Sequence, residues 1–159
     1  MGPDPMSKFA ADTSVSADRS RAEIESTLRR YGADEFGYLT TRTGAVVMFA
    51  VGERRIKFTL PMPDPNDKEF THTPARGTKR SPTQIEAAWE QATRQRWRAL
   101  HLVIKAKLEA VESGITEFDD EFLAHILTPN GQTIGEQLRP QLARIGLGGP
   151  LQLTTGAGQ

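Results

Sequence analysis

The sequence predicts an α+β fold: an N-terminal helix, a three-stranded antiparallel meander, one long amphipathic helix and two short C-terminal helices. Three observations predict it. Residues 36–60 read as β-forming runs broken by Gly44 and by Gly52-Glu53. A capping signal at Ser81 opens a stretch with no glycine or proline between Pro82 and Gly114. Apolar residues recur at helical spacing both before the meander and after the long stretch.

The domain is expected over residues 16–145. Residues 1–15 read as a disordered arm or tag, with Met6 as an alternative start, and 146–159, rich in Gly, Thr and Gln, as a disordered tail. The first helix is expected from about Ala17 to Tyr31. Ser20 and Glu23 have capping-box spacing, Ser16 is the alternative cap, and Gly32 suits the position after the last turn. Ile24, Leu28 and Tyr31 share one face.

Strands are expected at Phe36–Thr43, Ala45–Val51 and Arg54–Leu60. The second is apolar on both faces, which predicts a central strand. The third alternates, with Ile56, Phe58 and Leu60 facing helices and Arg55 and Lys57 on the other face, joined there by Arg42. Residues 61–82 form a long proline-rich connection, either a mobile functional loop or an ordered arm over the sheet. The long helix follows: Ser81 as N-cap, Pro82 at N1, Gln84 completing a capping box, and an uninterrupted run to Ser113. Thr116 is the expected cap of a short helix through Leu127. Pro129-Asn130-Gly131 makes a turn, Thr133 and Glu136 form another capping box, and Pro140 is expected to kink the last helix.

On the long helix Ile85, Ala88, Trp89, Ala92, Ala99, Leu100, Val103 and Ala110 share a broad apolar face, the expected core side. Trp97, Ile104 and Leu108 extend this stripe around one flank. So wide an arc suggests two partners: the sheet, and either the C-terminal helices or a second subunit. Under the second alternative these three residues form an oligomer interface. Arg94, Arg98, His101 and Lys105 line another side as a basic ridge about 16 Å long at the standard helical rise. Arg96 and Lys107 point towards the apolar side, where they snorkel or pair with Glu117, Asp119, Asp120 or Glu121.

Composition narrows the function classes. Formal net charge is zero, which excludes a globally basic nucleic-acid binder. The charges are nonetheless unevenly placed: bases outnumber acids between Arg76 and Lys107, and only acids occur between Glu109 and Glu121. With no cysteine, the chain has neither disulfides nor thiolate metal sites, as suits a reducing compartment. No apolar run is long enough for a membrane span and residues 1–20 lack a secretory h-region, so a cytoplasmic location is expected.

Catalytic signatures are missing. His72, His101 and His125 fall on separate elements and match no metal-ligand spacing. Asp119-Asp120-Glu121 sits at a helix start, where it complements the macrodipole. The sequence contains no phosphate-binding P-loop, no dinucleotide-binding glycine pattern after a strand and no nucleophile elbow. Asp64 and Asp67 lack the strand-borne acid-x-Lys pair of a metal-dependent nuclease. No enzyme activity, cofactor or metal is expected.

The segment Ala87-Ala88-Trp89-Glu90-Gln91 through Arg96-Trp97-Arg98-Ala99-Leu100, then Ile104-Lys105-Ala106-Lys107-Leu108-Glu109, resembles small hypothetical proteins of tailed phages and prophages, as does Phe122-Leu123-Ala124-His125-Ile126 with Pro129-Asn130-Gly131 and Gly135-Glu136. The resemblance spans about residues 80–145. It implies a setting, the infected bacterial cytoplasm, and carries no activity or site residues.

Two functions are expected. One is a non-enzymatic binding protein contacting single-stranded or distorted nucleic acid. Its contacts would be Arg42, Arg55 and Lys57 on the sheet, Arg76, Lys79 and Arg80 in the loop, and Arg94, Arg98 and Lys105 on the long helix. Tyr38 adds base stacking if it lies on the open sheet face, or else packs with Phe36 in the core. The other is a homo-oligomeric protein-interaction module built on Trp97, Ile104 and Leu108.

Overall fold

A computed structural model describes residues 5–146 and 148. The order is α1 (Pro5–Arg30), β1 (Ala33–Thr40), β2 (Gly44–Val51), β3 (Arg54–Pro61), α2 (Lys68–Thr71), α3 (Pro82–Glu112), α4 (Phe118–Phe122), α5 (Ile134–Leu138) and α6 (Leu142–Ile145). The α+β architecture is the one the sequence predicts. The first helix begins at Pro5 instead of near Ala17, with no glycine or further proline before Arg30 to stop it. Ser16 and Ser20 are therefore interior helical residues, not caps. Of the expected arm, residues 1–4 lie outside the described residues, as does most of the expected tail after Gly146.

The sheet order is β1-β2-β3, with the apolar strand in the centre. Its register aligns Phe36, Phe49 and Ile56 across the three strands, then Tyr38, Val47 and Phe58. These share the face covered by helices. Gly37, Met48 and Lys57 form the next rung and face the other way. The first strand is shifted towards the N-terminus because residues 41–43 make the turn: the Thr41 N–H donates to the Gly44 carbonyl at 2.7 Å. At the next turn Gly52 has φ +57°, a conformation that favours glycine. Beyond β3 the sheet edge is extended by one rung, where the Leu127 N–H donates to the Arg55 carbonyl at 2.8 Å.

Helix α3 starts as expected. The Ser81 hydroxyl accepts from the Gln84 N–H and the Gln84 side chain accepts from the Ser81 N–H, and 31 residues follow. Its buried line differs from the expected one. Trp97, Leu100, Ile104 and Leu108 are the buried residues, whereas Val103 is 45% exposed and Ala99 is exposed. At 100° per residue the core side is rotated by about 100° from the predicted face. Three partners explain the wide apolar arc. The sheet and α1 cover Trp97 and Ile104 through Ile24, Leu28, Val47, Phe49 and Phe58, all in one core cluster. The 62–81 segment covers the flank near Trp89, where Phe70 is buried and the Trp89 indole donates to the Pro63 carbonyl at 2.6 Å. That segment is thus an ordered arm against α3, not over the sheet.

The C-terminal part closes the other end. Phe122 is buried edge-on to Phe49 and Phe58, and His125 stacks on Phe58 at 4.0 Å. Glu117, not Thr116, precedes α4. The Thr133–Glu136 capping box forms as predicted, and Pro140 falls in a short 3-10 turn between α5 and α6.

Candidate nucleic-acid interface

The two long helices run parallel. Ser20 shares a cleft with Arg94 and Arg98, the Thr27 hydroxyl lies 3.3 Å from His101 Nε2, and Ser26 and Arg30 share a second cleft with Lys105. Residue numbers therefore rise together along both. Between their outward sides runs a groove. One end is a cleft of about 730 Å³ lined by Arg19, Glu23, Arg94 and Arg98. The other is a smaller cleft of about 230 Å³ lined by Ser26, Arg30 and Lys105. Glu23 and His101 line both clefts and form the waist between them.

The residue spacing makes this groove. Arg94, Arg98, His101 and Lys105 stand at i, i+4, i+7 and i+11 on α3, and Arg19, Glu23, Ser26 and Arg30 repeat that spacing on α1. Two ridges of matched pitch thus lie side by side. Together the clefts expose five cations, Arg19, Arg30, Arg94, Arg98 and Lys105, against one carboxylate, Glu23. Glu23 accepts from Arg19 Nε at 3.2 Å and lies 3.4 Å from His101 Nδ1. Lys105 is 3.8 Å from Glu109. Arg94, Arg98 and Arg30 have no ion-pair partner among the described residues.

The nine cations named from sequence do not form one surface. Arg55 and Lys57 lie on the sheet face turned away from the helices, so no single small ligand spans them and Arg94. They are also neutralised: Arg55 donates to Glu35 at 2.6 Å, and Lys57 is 3.6 Å from Glu136. Arg80 donates to the carbonyls of Glu69 and Phe70, both at 3.3 Å, and so ties down the arm. Arg42 is exposed in the β1–β2 turn, and Arg76 and Lys79 are exposed on the arm, away from the groove's lining. Only Arg94, Arg98 and Lys105 come together. The sequence reading missed Arg19 and Arg30, although the repeated spacing in the first helix was the signal that pointed to them.

Three further expectations change. Trp97, Ile104 and Leu108 are 1%, 0% and 3% exposed within the single chain, so they are core residues and offer no surface to a second copy. Tyr38 lies on the helix side of the sheet, edge-on to Trp97, with the Arg21 guanidinium 5.1 Å above its ring. It is half-exposed at the rim, packed beside Phe36, and does not face the open sheet surface. Lys107 pairs with Glu121 at 3.1 Å as one expected alternative had it, whereas Arg96 is exposed.

The acidic run is also tied to the sheet. Arg54 grips Asp119 through Nε and Nη2 at 2.8 and 2.7 Å, and this bond holds the Asp119 carboxyl below its ordinary range. The histidines stay apart: His72 on the arm, His101 at the waist, His125 against Phe58. Among the described residues no three metal-ligating side chains gather. No described helix is long and apolar enough to cross a membrane. No protein-family model, curated protein or solved structure matches the chain.

Proposed function

We propose that this chain binds nucleic acid without catalysing a reaction on it, and does so through the α1–α3 groove. One observation carries the reading: five cations from two helices converge on one groove that holds a single carboxylate. Of the five, Arg30, Arg94 and Arg98 have no ion-pair partner among the described residues, whereas Arg54, Arg55, Lys57 and Lys107 on the sheet and C-terminal side are each matched by a carboxylate. Rows of arginine suit phosphate oxygens, which a planar guanidinium meets in bidentate fashion. Such contacts fix position without reading sequence. The setting that goes with this proposal is the phage-infected bacterial cytoplasm.

The test is fluorescence polarisation with a labelled oligonucleotide mixture at 50 and 200 mM salt. Each phosphate contact contributes close to one unit of log–log salt slope. Four or five contacts therefore predict about 100- to 1000-fold weaker binding at the higher salt. The Arg94→Gln/Arg98→Gln variant should bind far more weakly and with a shallower slope. No binding at 50 mM salt, or binding indifferent to both substitutions, refutes the proposal.

A second reading, a protein-interaction or self-associating module, draws support from the open sheet face, where Leu39 is 66% and Met48 41% exposed. Concentration-dependent sedimentation that Leu39→Glu abolishes would establish it.

A further inference from the structure

We infer that the groove takes the two backbones of a nucleic-acid duplex, one at each end, and not a single strand lying along it. This rests on the proposed nucleic-acid binding and names the partner. The observation that carries it is the position of the one acid. Glu23 sits at the waist, bonded to Arg19 at 3.2 Å and 3.4 Å from His101. The cationic ends lie on either side of it: Arg94 and Arg98 at one, Arg30 and Lys105 at the other.

The helical rise sets the spacing of the two ends. From the middle of the Arg94–Arg98 pair to Lys105 is nine residues, and from Arg19 to Arg30 is eleven, so the ends are about 13–16 Å apart. A single strand laid along the groove carries a phosphate at intervals shorter than this separation. At least one phosphate would then lie against the Glu23 carboxylate, where like charges repel. A duplex avoids that position. Its backbones flank a groove about 12 Å wide on the major side, with no phosphate between the rims. Placed across the waist, it sets one row of phosphates at each basic end and turns its groove towards Glu23 and His101.

The lining agrees. Among the described residues the two clefts contain no Phe, Tyr or Trp. Proteins that hold single strands supply aromatic rings on which bases stack. Tyr38, the one candidate for that role, is on the sheet side beneath Arg21. The groove offers contacts to phosphate and none to an unstacked base.

The experiment compares a labelled 16-base-pair duplex with a single strand of the same length at 50 mM salt, using the full chain and three variants. The wild type should bind the duplex at least tenfold more tightly. Arg94→Gln/Arg98→Gln and Arg30→Gln/Lys105→Gln should each weaken duplex binding by a similar factor, because each empties one end. Glu23→Gln should raise single-strand affinity more than duplex affinity and so narrow the gap. Gln retains most of each aliphatic stem at these surface positions, and the single variants Arg98→Gln and Lys105→Gln give the same comparison if a double variant fails to fold.

Equal affinity for the single strand, or a gap that Glu23→Gln leaves unchanged, overturns the duplex assignment. Either result leaves nucleic-acid binding standing as long as Arg94 and Arg98 still matter. Silence from both oligonucleotides removes both proposals together. Heparin binding as tight as the duplex also overturns the assignment, since a flexible polyanion has no fixed spacing across the waist.

Discussion

Replacing Ile104 with alanine separates the two possible orientations of α3, because its neighbour Val103 gives the opposite expectation. Ile104 is fully buried within the core cluster, and Val103 is nearly half exposed. Truncating a buried isoleucine to alanine costs about 2–5 kcal/mol, the transfer of the lost carbons plus the cavity they leave. Ile104 should fall near 3 kcal/mol, which for a chain of this size lowers the melting temperature by about 6–12 °C. Val103→Ala removes two carbons worth about 0.8 kcal/mol each if fully buried, of which about half applies here. Better helix propensity returns about 0.5 kcal/mol, so the net change is within about 0.5 kcal/mol. Urea titration followed by far-ultraviolet circular dichroism measures both. A larger loss from Val103→Ala than from Ile104→Ala would show that the helix is turned the other way, and the basic groove would go with it. Ile104→Glu adds a second check. It should unfold the chain, whereas a residue at a subunit seam would yield folded monomers.

Other sites give narrower tests. Gly135→Ala places a methyl 2.8 Å from the Ala124 carbonyl oxygen, and the clash with backbone should cost about 1–3 kcal/mol by urea titration despite the gain in helix propensity. Ser81→Ala removes the capping hydroxyl from the Gln84 N–H and should cost about 1 kcal/mol, read as a lower urea midpoint. Burial pushes the His125 imidazole below its usual value; Lys107 adds to the effect and a backbone hydrogen bond with Lys57 opposes it. A folded value below the unfolded one means that the unfolded chain takes up the proton first. The contribution is therefore complete above about pH 6.5 and is lost as the pH falls from there towards the depressed folded value. His125→Phe, which keeps the stacking on Phe58, should flatten the fall in urea midpoint between pH 7.5 and 5.5.

Local signals were legible and rotational ones were not. Ser81-Pro82 with Gln84, and Thr133 with Glu136, encode their caps in adjacent residues, and both form. The apolar run Ala45–Val51 is central in strand order as expected, although helices cover only one of its faces and Met48 on the other is 41% exposed. The orientation of α3 is a different matter. Its apolar arc runs from Trp89 through Leu100 to Leu108, and the sequence does not say which neighbour takes which part. The 62–81 arm takes the Trp89 flank through Pro63 and Phe70, which leaves Trp97 and Ile104 for the sheet and α1. A proline-rich connection carries no periodicity from which that docking could be read. The groove was half legible for the same reason. Its α3 ridge stood out against an apolar background, while Arg19 and Arg30 were hidden among the ordinary charges of the first helix.

Zero net charge is often taken to argue against nucleic-acid binding, and here the inference does not follow. What a phosphate meets is the local field within about 10 Å at ordinary salt. Four carboxylates on the sheet side and the C-terminal segment are paired locally: Glu35 with Arg55, Asp119 with Arg54, Glu121 with Lys107, Glu136 with Lys57. These pairs are worth little to stability at the surface. Their effect is on distribution, because they offset these sheet-side cations while Arg30, Arg94 and Arg98 in the groove have no ion-pair partner among the described residues. A neutral chain can in this way still present a locally basic groove to a polyanion. Glu23 is the exception inside the groove, and its place at the waist, not the total charge, is what distinguishes a partner with two separated backbones from one with a single line of phosphates.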